Sequence, residues 1–375
     1  MTKAAWLVKV SMKKMVVVFA LLVFWTNLSA FPDKQRVLSG LERYLSSQMR
    51  EHGLSGEVLV ASGDEIFLKK GSHDSSSSRS KVSQPEVTFP AGSTTEQFLA
   101  AAILKLESSG QVDLHNSICE YLSNCPHGWN DIQVLHLLSH SSGLPDLSDF
   151  PPCLESPAVD SGSSAIIAAL SRAPLLFKPG SRFNANKFDY YFVSLLIERI
   201  SGQSSSAYLQ HHIFLPLKLA HTGYEPRRAH LASFGDVRRT EACPRGQSDL
   251  NSIPSYFADE MSTTIGDLYV WDKALISGQF LSKSSLDKMF TPYVEGHGFG
   301  WKIVKEFDRM AVLQSHDLGA TSFSSRIYPD DATCILVVSR TREAPATSIS
   351  HDLGAILFGK HYPAFLKPDP TRTPR

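Results

Sequence analysis

The residues with the most chemical promise lie in Phe89-Pro90-Ala91-Gly92-Ser93-Thr94-Thr95-Glu96-Gln97-Phe98 and the apolar run behind it. Pro90 and Gly92 end an extended segment. Ser93 then opens a helix that is apolar almost all round (Phe98, Leu99, Ala100, Ala101, Ala102, Ile103, Leu104, Leu106), stopped by Ser108-Ser109-Gly110. A helix of that composition lies inside a large fold. Its N-terminus carries unpaired N–H groups that favour developing negative charge, a good setting for a nucleophilic serine. The same residues also read as a plain helix cap. Ser93-x-x-Glu96 is the capping-box pattern, worth about 1 kcal/mol.

Other residues carry weaker signals. His136 and His140 stand four apart, as helical metal ligands can, but no Glu follows His136. A packing role is the simpler reading, and neither a metal nor another cofactor is expected. His211 and His212 are adjacent and so face different ways on a helix. Gly296, Gly298 and Gly300 precede a strand rather than open a helix, which fits a turn better than a phosphate loop. Tyr190, Tyr191 and Phe192 read as core, with a displaced catalytic phenol as the sharper reading of either tyrosine.

These residues need a scaffold, and the chain is long enough to build one. It has 375 residues, 42% hydrophobic and 20% charged, enough for one large or two medium domains. The net charge is +0. No basic stripe suggests nucleic acid, and no acidic block suggests a solvating tail. Lys9, Lys13 and Lys14 precede an apolar core from Met15 to Trp25, too short to span a bilayer comfortably, and Leu28-Ser29-Ala30 fits a cleavage site. Residues 1–30 therefore read as a signal peptide of a secreted or periplasmic protein, with an uncleaved membrane anchor as the alternative. Cys119 and Cys125 could close a small loop, and Cys153 could pair with Cys243; the connectivity stays open. Cys334, in Thr-Cys-Ile-Leu-Val-Val, reads as a free core thiol.

Along the chain, Asp33 to His52 has a one-sided apolar pattern that predicts a helix. Gly56 to Ala61 and Glu65 to Lys69 are short strands around a Ser62-Gly63-Asp64 hairpin signal, followed by a Ser-rich loop from Gly71 to Pro85. Ser93 to about Leu219 is mostly helical, and Thr263 to Ile276 is a further helix. Strands return at Phe299 to Val304, Ala311 to Gln314, Ser322 to Tyr328 and Thr333 to Ser339, before a closing helix near Ser348 to Phe358. The simplest solution is an α/β (α+β) fold: one antiparallel sheet built from both chain ends, flanked by helices, with a mostly helical subdomain inserted. Ser93 would lie at the seam. The sheet part spans about 33–92 and 258–362 and the helical part about 93–257. Residues 31–366 form the domain, and 367–375 a Pro- and Arg-rich disordered tail.

At this point the chain resembles the serine β-lactamase and penicillin-binding protein family, most of all its class C-like branch of esterases, D-amino-acid peptidases and β-lactamases. The resemblance runs from about Val37 to Tyr362. Its carriers are Phe89-Pro-Ala-Gly-Ser93, Leu137-Leu-Ser-His140-Ser-Ser142-Gly143-Leu-Pro145, Pro179-Gly180-x-x-Phe183 with Tyr190, Thr263-Thr264-x-x-Asp267-Leu268 and Gly298-Phe-Gly300-Trp301. It implies a β-lactamase/transpeptidase-like fold with Ser93 as the acylated nucleophile.

The catalytic positions depart from the family pattern. The nucleophile motif Ser-x-x-Lys is here Ser93-Thr-Thr-Glu96, and a carboxylate is a poor base for a serine unless burial raises its pKa. On the register set by Phe183 and Tyr190, the Tyr-x-Asn motif becomes Ala185 and Lys187; a one-residue slip gives Asn184-Ala-Asn186. The third motif falls on His316-Asp317-Leu318, where Leu318 is bulky in a glycine's place, and a family Gly-Gly pair falls near Asp259-Glu260. Because the family's Lys lies against its Asn, Glu96 and Lys187 are expected to form a buried ion pair. That pair is either a plug or a relocated base, Lys187, held by Glu96.

Two functions follow. In the first, an exported β-lactamase-related protein has lost hydrolysis, and its cleft binds a small-molecule or peptide ligand or a partner, or is vestigial. In the second, a serine hydrolase acts on an ester, amide or D-amino-acid peptide. Ser93 would then be the nucleophile, Lys187 its base, His316 an electrostatic helper, and the N–H groups of Ser93 and Gly319 the oxyanion hole.

Overall fold

A computed structural model describes residues 34–72, 87–146, 153–154, 163–224, 248–249, 261–318 and 321–360. The expected signal peptide, most of the Ser-rich loop, the C-terminal tail, Cys243, Asp259-Glu260 and Gly319 lie outside these residues.

In chain order, helix α1 (Lys34–Glu51) leads into strands β1 (Gly56–Ser62), β2 (Glu65–Ser72) and β3 (Phe89–Pro90). Helices α2 (Thr94–Ser108) and α3 (Val134–Leu138) follow, then β4 (Cys153–Leu154), α4 (Ser163–Leu170), α5 (Lys187–Ser201) and α6 (Ser205–Leu209). Short strands β5 (Gly223–Tyr224), β6 (Ser248–Asp249) and β7 (Met261–Thr263) precede α7 (Ile265–Ile276) and α8 (Lys283–Met289). The chain closes with β8 (Lys302–Glu306), β9 (Arg309–Leu318), β10 (Thr321–Tyr328), β11 (Thr333–Ser339) and α9 (Ala346–Leu357).

The main sheet has six strands in the order β2-β1-β11-β10-β9-β8, with every described pairing antiparallel. Both chain ends build it, as the pattern of elements predicts. Side chains alternate between two cores, as a pleated strand requires. On one face Val58, Val60, Ile335 and Val337 pack with Leu41 and Leu45 of α1 and Ile349 and Leu353 of α9. On the other, Leu59, Ala61, Leu336 and Val338 join the cluster containing α2, α5 and α7. Cover on both faces explains why β11 is a continuous apolar run rather than an alternating one.

The structure begins the strand expected from Phe299 only at Lys302, because residues 298–301 turn instead. Gly298 donates its N–H to the Trp301 carbonyl, and Phe299 to that of Met289. Cys119 and Cys125 are disulfide-bonded, and Cys334 is a buried free thiol. Among the described residues no helix is long and apolar enough to cross a membrane.

Helix α2 is the pivot between the sheet and the helices. Its residues from Gln97 to Leu104 are all buried. Phe98 packs against Trp271 and Phe214 with ring centroids 4.6 and 5.3 Å away. Phe98→Ala should lower the unfolding free energy by about 3–5 kcal/mol, through lost burial and the cavity left behind. Denaturant unfolding reads this as a lower midpoint at unchanged slope, and a loss under about 1 kcal/mol would contradict the assignment.

Candidate functional site

Ser93 sits where α2 meets the sheet. Its carbonyl accepts from Gln314 Nε2 on β9 at 3.0 Å, and the same amide donates to Gly300 O at 3.2 Å. Gly300 is left-handed, with φ 74°, and a Cβ there would stand 2.9 Å from Gln97 N. That close approach needs glycine, and it locks the 298–301 turn against the first turn of α2.

The capping-box reading of Ser93 does not hold. Ser93 is itself helical, with φ −63° and ψ −9°, and makes no side-chain cap hydrogen bond. A capping serine needs extended backbone to fold its oxygen over the next N–H groups. Here the helix starts by tight turns instead: Thr94 and Thr95 donate their N–H groups to Ala91 O and Gly92 O. The Ser93 hydroxyl thus has no hydrogen-bond partner among the described residues, at the positive end of a buried helix.

Glu96, one turn along, does not meet Lys187. Its carboxylate Oε2 lies 3.5 Å from His140 Nε2, and its side chain is 21% exposed. The expected buried Glu96–Lys187 pair fails because Asn186, not Lys187, is pinned inside. Asn186 caps α5 by accepting from the Asp189 N–H, and its Nδ2 donates to Leu144 O at 3.1 Å. That places Lys187 at the first helical position, exposed, with its N–H directed at Asp146 Oδ1. Ala185 is exposed as well.

His140 is the residue that sequence reasoning missed as a site member. Helix α3 ends in a Schellman turn, with Ser141 N–H donating to His136 O at 2.7 Å and His140 left-handed at φ 51°. A non-glycine residue there is strained by about 1–3 kcal/mol, and the turn drives the imidazole inward. Its Nε2 faces Glu96, and its Nδ1 lies 3.2 Å from Asp189 Oδ2. Asp189 is fully buried and also accepts from the Ser142 hydroxyl. A neutral imidazole would turn a lone pair on one of these carboxylates, so the geometry calls for imidazolium. Burial alone would depress the His140 pKa, but Glu96 and Asp189 more than reverse this and hold it up to about 10. Burial in turn raises the Asp189 pKa, opposed by the hydrogen bond from His140.

The other candidates are placed as follows. The Tyr190 O–H donates to Leu138 O at 2.8 Å and its oxygen meets the Gly300 backbone, with the ring packed 5.1 Å from that of His140. His316 packs on Gly92, where a Cβ would lie 2.7 Å from the ring, and its Nε2 is 3.2 Å from Pro90 O. Burial lowers its pKa to about 4, which favours the neutral imidazole at pH 7. Leu318 ends β9, half-buried, and Gly319 falls outside the described residues. No group of residues suited to a metal ion is found among those described.

The fold and this serine-bearing helix define a class. A model of the Beta-lactamase family matches residues 41–352, and the chain belongs to that family. Among its relatives is a putative penicillin-binding protein, PbpX, of Bacillus subtilis, 27% identical over 260 residues, which are 66% of this chain and 61% of the relative. Another is penicillin-binding protein 4* of the same organism, 24% identical over 355 residues, covering 88% of this chain and 78% of the relative. Among solved structures, a β-lactamase/D-alanine carboxypeptidase from Yersinia pestis superposes with a TM-score of 0.69 at 17% identity, over 87% of this chain and 99% of that one. A D-stereospecific amidohydrolase from Streptomyces gives 0.63 at 19% identity, over 88% of this chain and 100% of that one. These likenesses establish the β-lactamase/transpeptidase-like fold, and the chain is a β-lactamase-related member of the serine hydrolase family.

The His140 assignment has a pH signature. Its folded pKa, about 10, exceeds the ordinary 6.5. The stabilisation it gives is therefore complete below about pH 6.5 and is lost as pH rises through about 10. An NMR titration should find the His140 ring still protonated at pH 8. In Glu96→Gln its pKa should fall by about one unit or more, since a neighbouring carboxylate contributes on that scale. A His140 that titrates near 6.5 in the wild-type protein would contradict the assignment.

Proposed function

We propose that this chain is an exported β-lactamase-related protein that has lost hydrolysis and uses the Ser93 site to bind a ligand or partner. One observation carries this reading. No base is hydrogen-bonded to the Ser93 hydroxyl among the described residues, and the side chain one turn along is a carboxylate held by His140. Proton-transfer groups typically contribute about 100- to 10,000-fold each. Glu96 and Ala185 stand where the resemblance expects a lysine and a tyrosine, and neither supplies that transfer. Export is supported by the lysines and apolar core within residues 1–30 and by the Cys119–Cys125 disulfide, a bond typical of oxidising compartments.

A second reading, an active serine hydrolase acting on an ester, amide or D-amino-acid peptide, keeps one observation in its favour. The Ser93 hydroxyl is not used up as a cap. With Lys187 exposed, that reading needs a base from elsewhere.

The two are separated by covalent labelling. The protein is incubated with a fluorophosphonate ester or a penicillin and its intact mass is measured beside Ser93→Ala. The proposal expects no adduct on Ser93 and ester turnover no higher than that of the variant. A stoichiometric adduct that disappears in Ser93→Ala would overturn it.

A further inference from the structure

We infer that the Ser93 site takes an amine-bearing, cationic ligand whose ammonium group sits on the open carboxylate oxygen of Glu96. This deepens the reading of the site as a ligand-binding one and rests on it.

The polar groups around Ser93 fall into those already engaged and those left over. Several donors are engaged, while Gln97 Nε2 and Trp301 Nε1 are buried without a partner among the described residues. The Gln314 amide donates to Ser93 O and Gly300 O, and the Tyr190 O–H to Leu138 O. Both ring nitrogens of His140 face carboxylates. The groups left over on the Ser93 face of the helix are the Glu96 carboxylate and the Ser93 hydroxyl. Glu96 has an oxygen on His140, but its Oε1 has no partner among the described residues, and the side chain keeps 21% of its surface. A carboxylate offers about four lone-pair positions, so most of its accepting capacity is unused. The Ser93 hydroxyl, three residues before it on the same helix face, is also unpartnered among the described residues. His316 packs against Gly92, the residue before Ser93. Its Nε2 faces the Pro90 carbonyl and must carry the proton, which leaves Nδ1 an acceptor, buried and without a partner among the described residues.

Charge points the same way. Glu96 and Asp189 share one imidazolium, so two carboxylates face a single cation. A ligand ammonium on Glu96 Oε1 would complete the pairing, and it could donate to the Ser93 hydroxyl as well. An anionic ligand would be repelled by the Glu96 carboxylate. Burying an unpaired like charge there is costly.

The test uses three small ligands of one shape at pH 7: benzylamine, benzyl alcohol and benzoate. Binding to the wild-type protein is followed by amide shifts of residues 92–97 and by calorimetry. Benzylamine should bind at least about tenfold more tightly than the other two, and Glu96→Gln should remove about that factor. Benzoate or benzyl alcohol binding as well as benzylamine would overturn the inference, as would benzylamine affinity unchanged in a folded Glu96→Gln protein. The wild-type comparison stands even where the variant does not fold. Acylation of Ser93 by the fluorophosphonate would end the reading of lost hydrolysis and leave the charge preference intact. Saturable binding by none of the three ligands would remove the binding-site reading together with the inference.

Discussion

A carboxylate set one helical turn from Ser93, on a helix otherwise sealed in the core, requires a positive partner. His140 is that partner, and much of the local structure exists to present it. Helix α3 must end in a left-handed residue that is not glycine, the 140–145 turn must fold back, and Asp189 must rise from α5 to hold the far side of the ring. Asp189 in turn is fixed by the Ser142 hydroxyl and by the Asn186 cap. The interaction therefore ties three elements that are distant in sequence, and the strain at His140 is offset by two charge-assisted contacts.

The scaffold around this cluster is the family's, while the charges within it are rearranged. Gly300 and Gln314 bring the sheet against the start of α2, so Ser93 stays at the junction where a nucleophile belongs. What has changed is the group beside it. A carboxylate balanced by an imidazolium can hold a charge in place, but it has little tendency to take a serine proton. The fold thus keeps the position of Ser93, while the side chain one turn along is a carboxylate paired with an imidazole.

Much of this was legible in the sequence. The apolar run from Phe98 to Leu106, the strand pattern at both chain ends and the Leu137 to Pro145 landmark led to the right architecture and placed Ser93 at the seam. The partner of Glu96 was not legible. Register counting put Lys187 opposite it, but the Asn186 cap decides which side chain turns inward, and caps are settled by local geometry that a motif register does not encode. His140 was read as packing because His136 and His140 lack a metal-binding pattern. Its left-handed backbone, which aims the ring at Glu96, follows from the helix terminus and not from residue spacing. The capping box failed similarly: Ser93-x-x-Glu96 has the right letters, yet Gly92 lets the chain enter the helix one residue early.

The most direct measurement is a double-mutant cycle on unfolding free energy at pH 7, using Glu96→Gln, His140→Gln and the double variant. If the imidazolium is the counter-charge of Glu96, the two positions should couple by about 1–3 kcal/mol, within the range found for contacting groups of one network. Additive single-variant effects, with coupling near zero, would mean that Glu96 finds its balance elsewhere and that the charge arrangement described here is wrong.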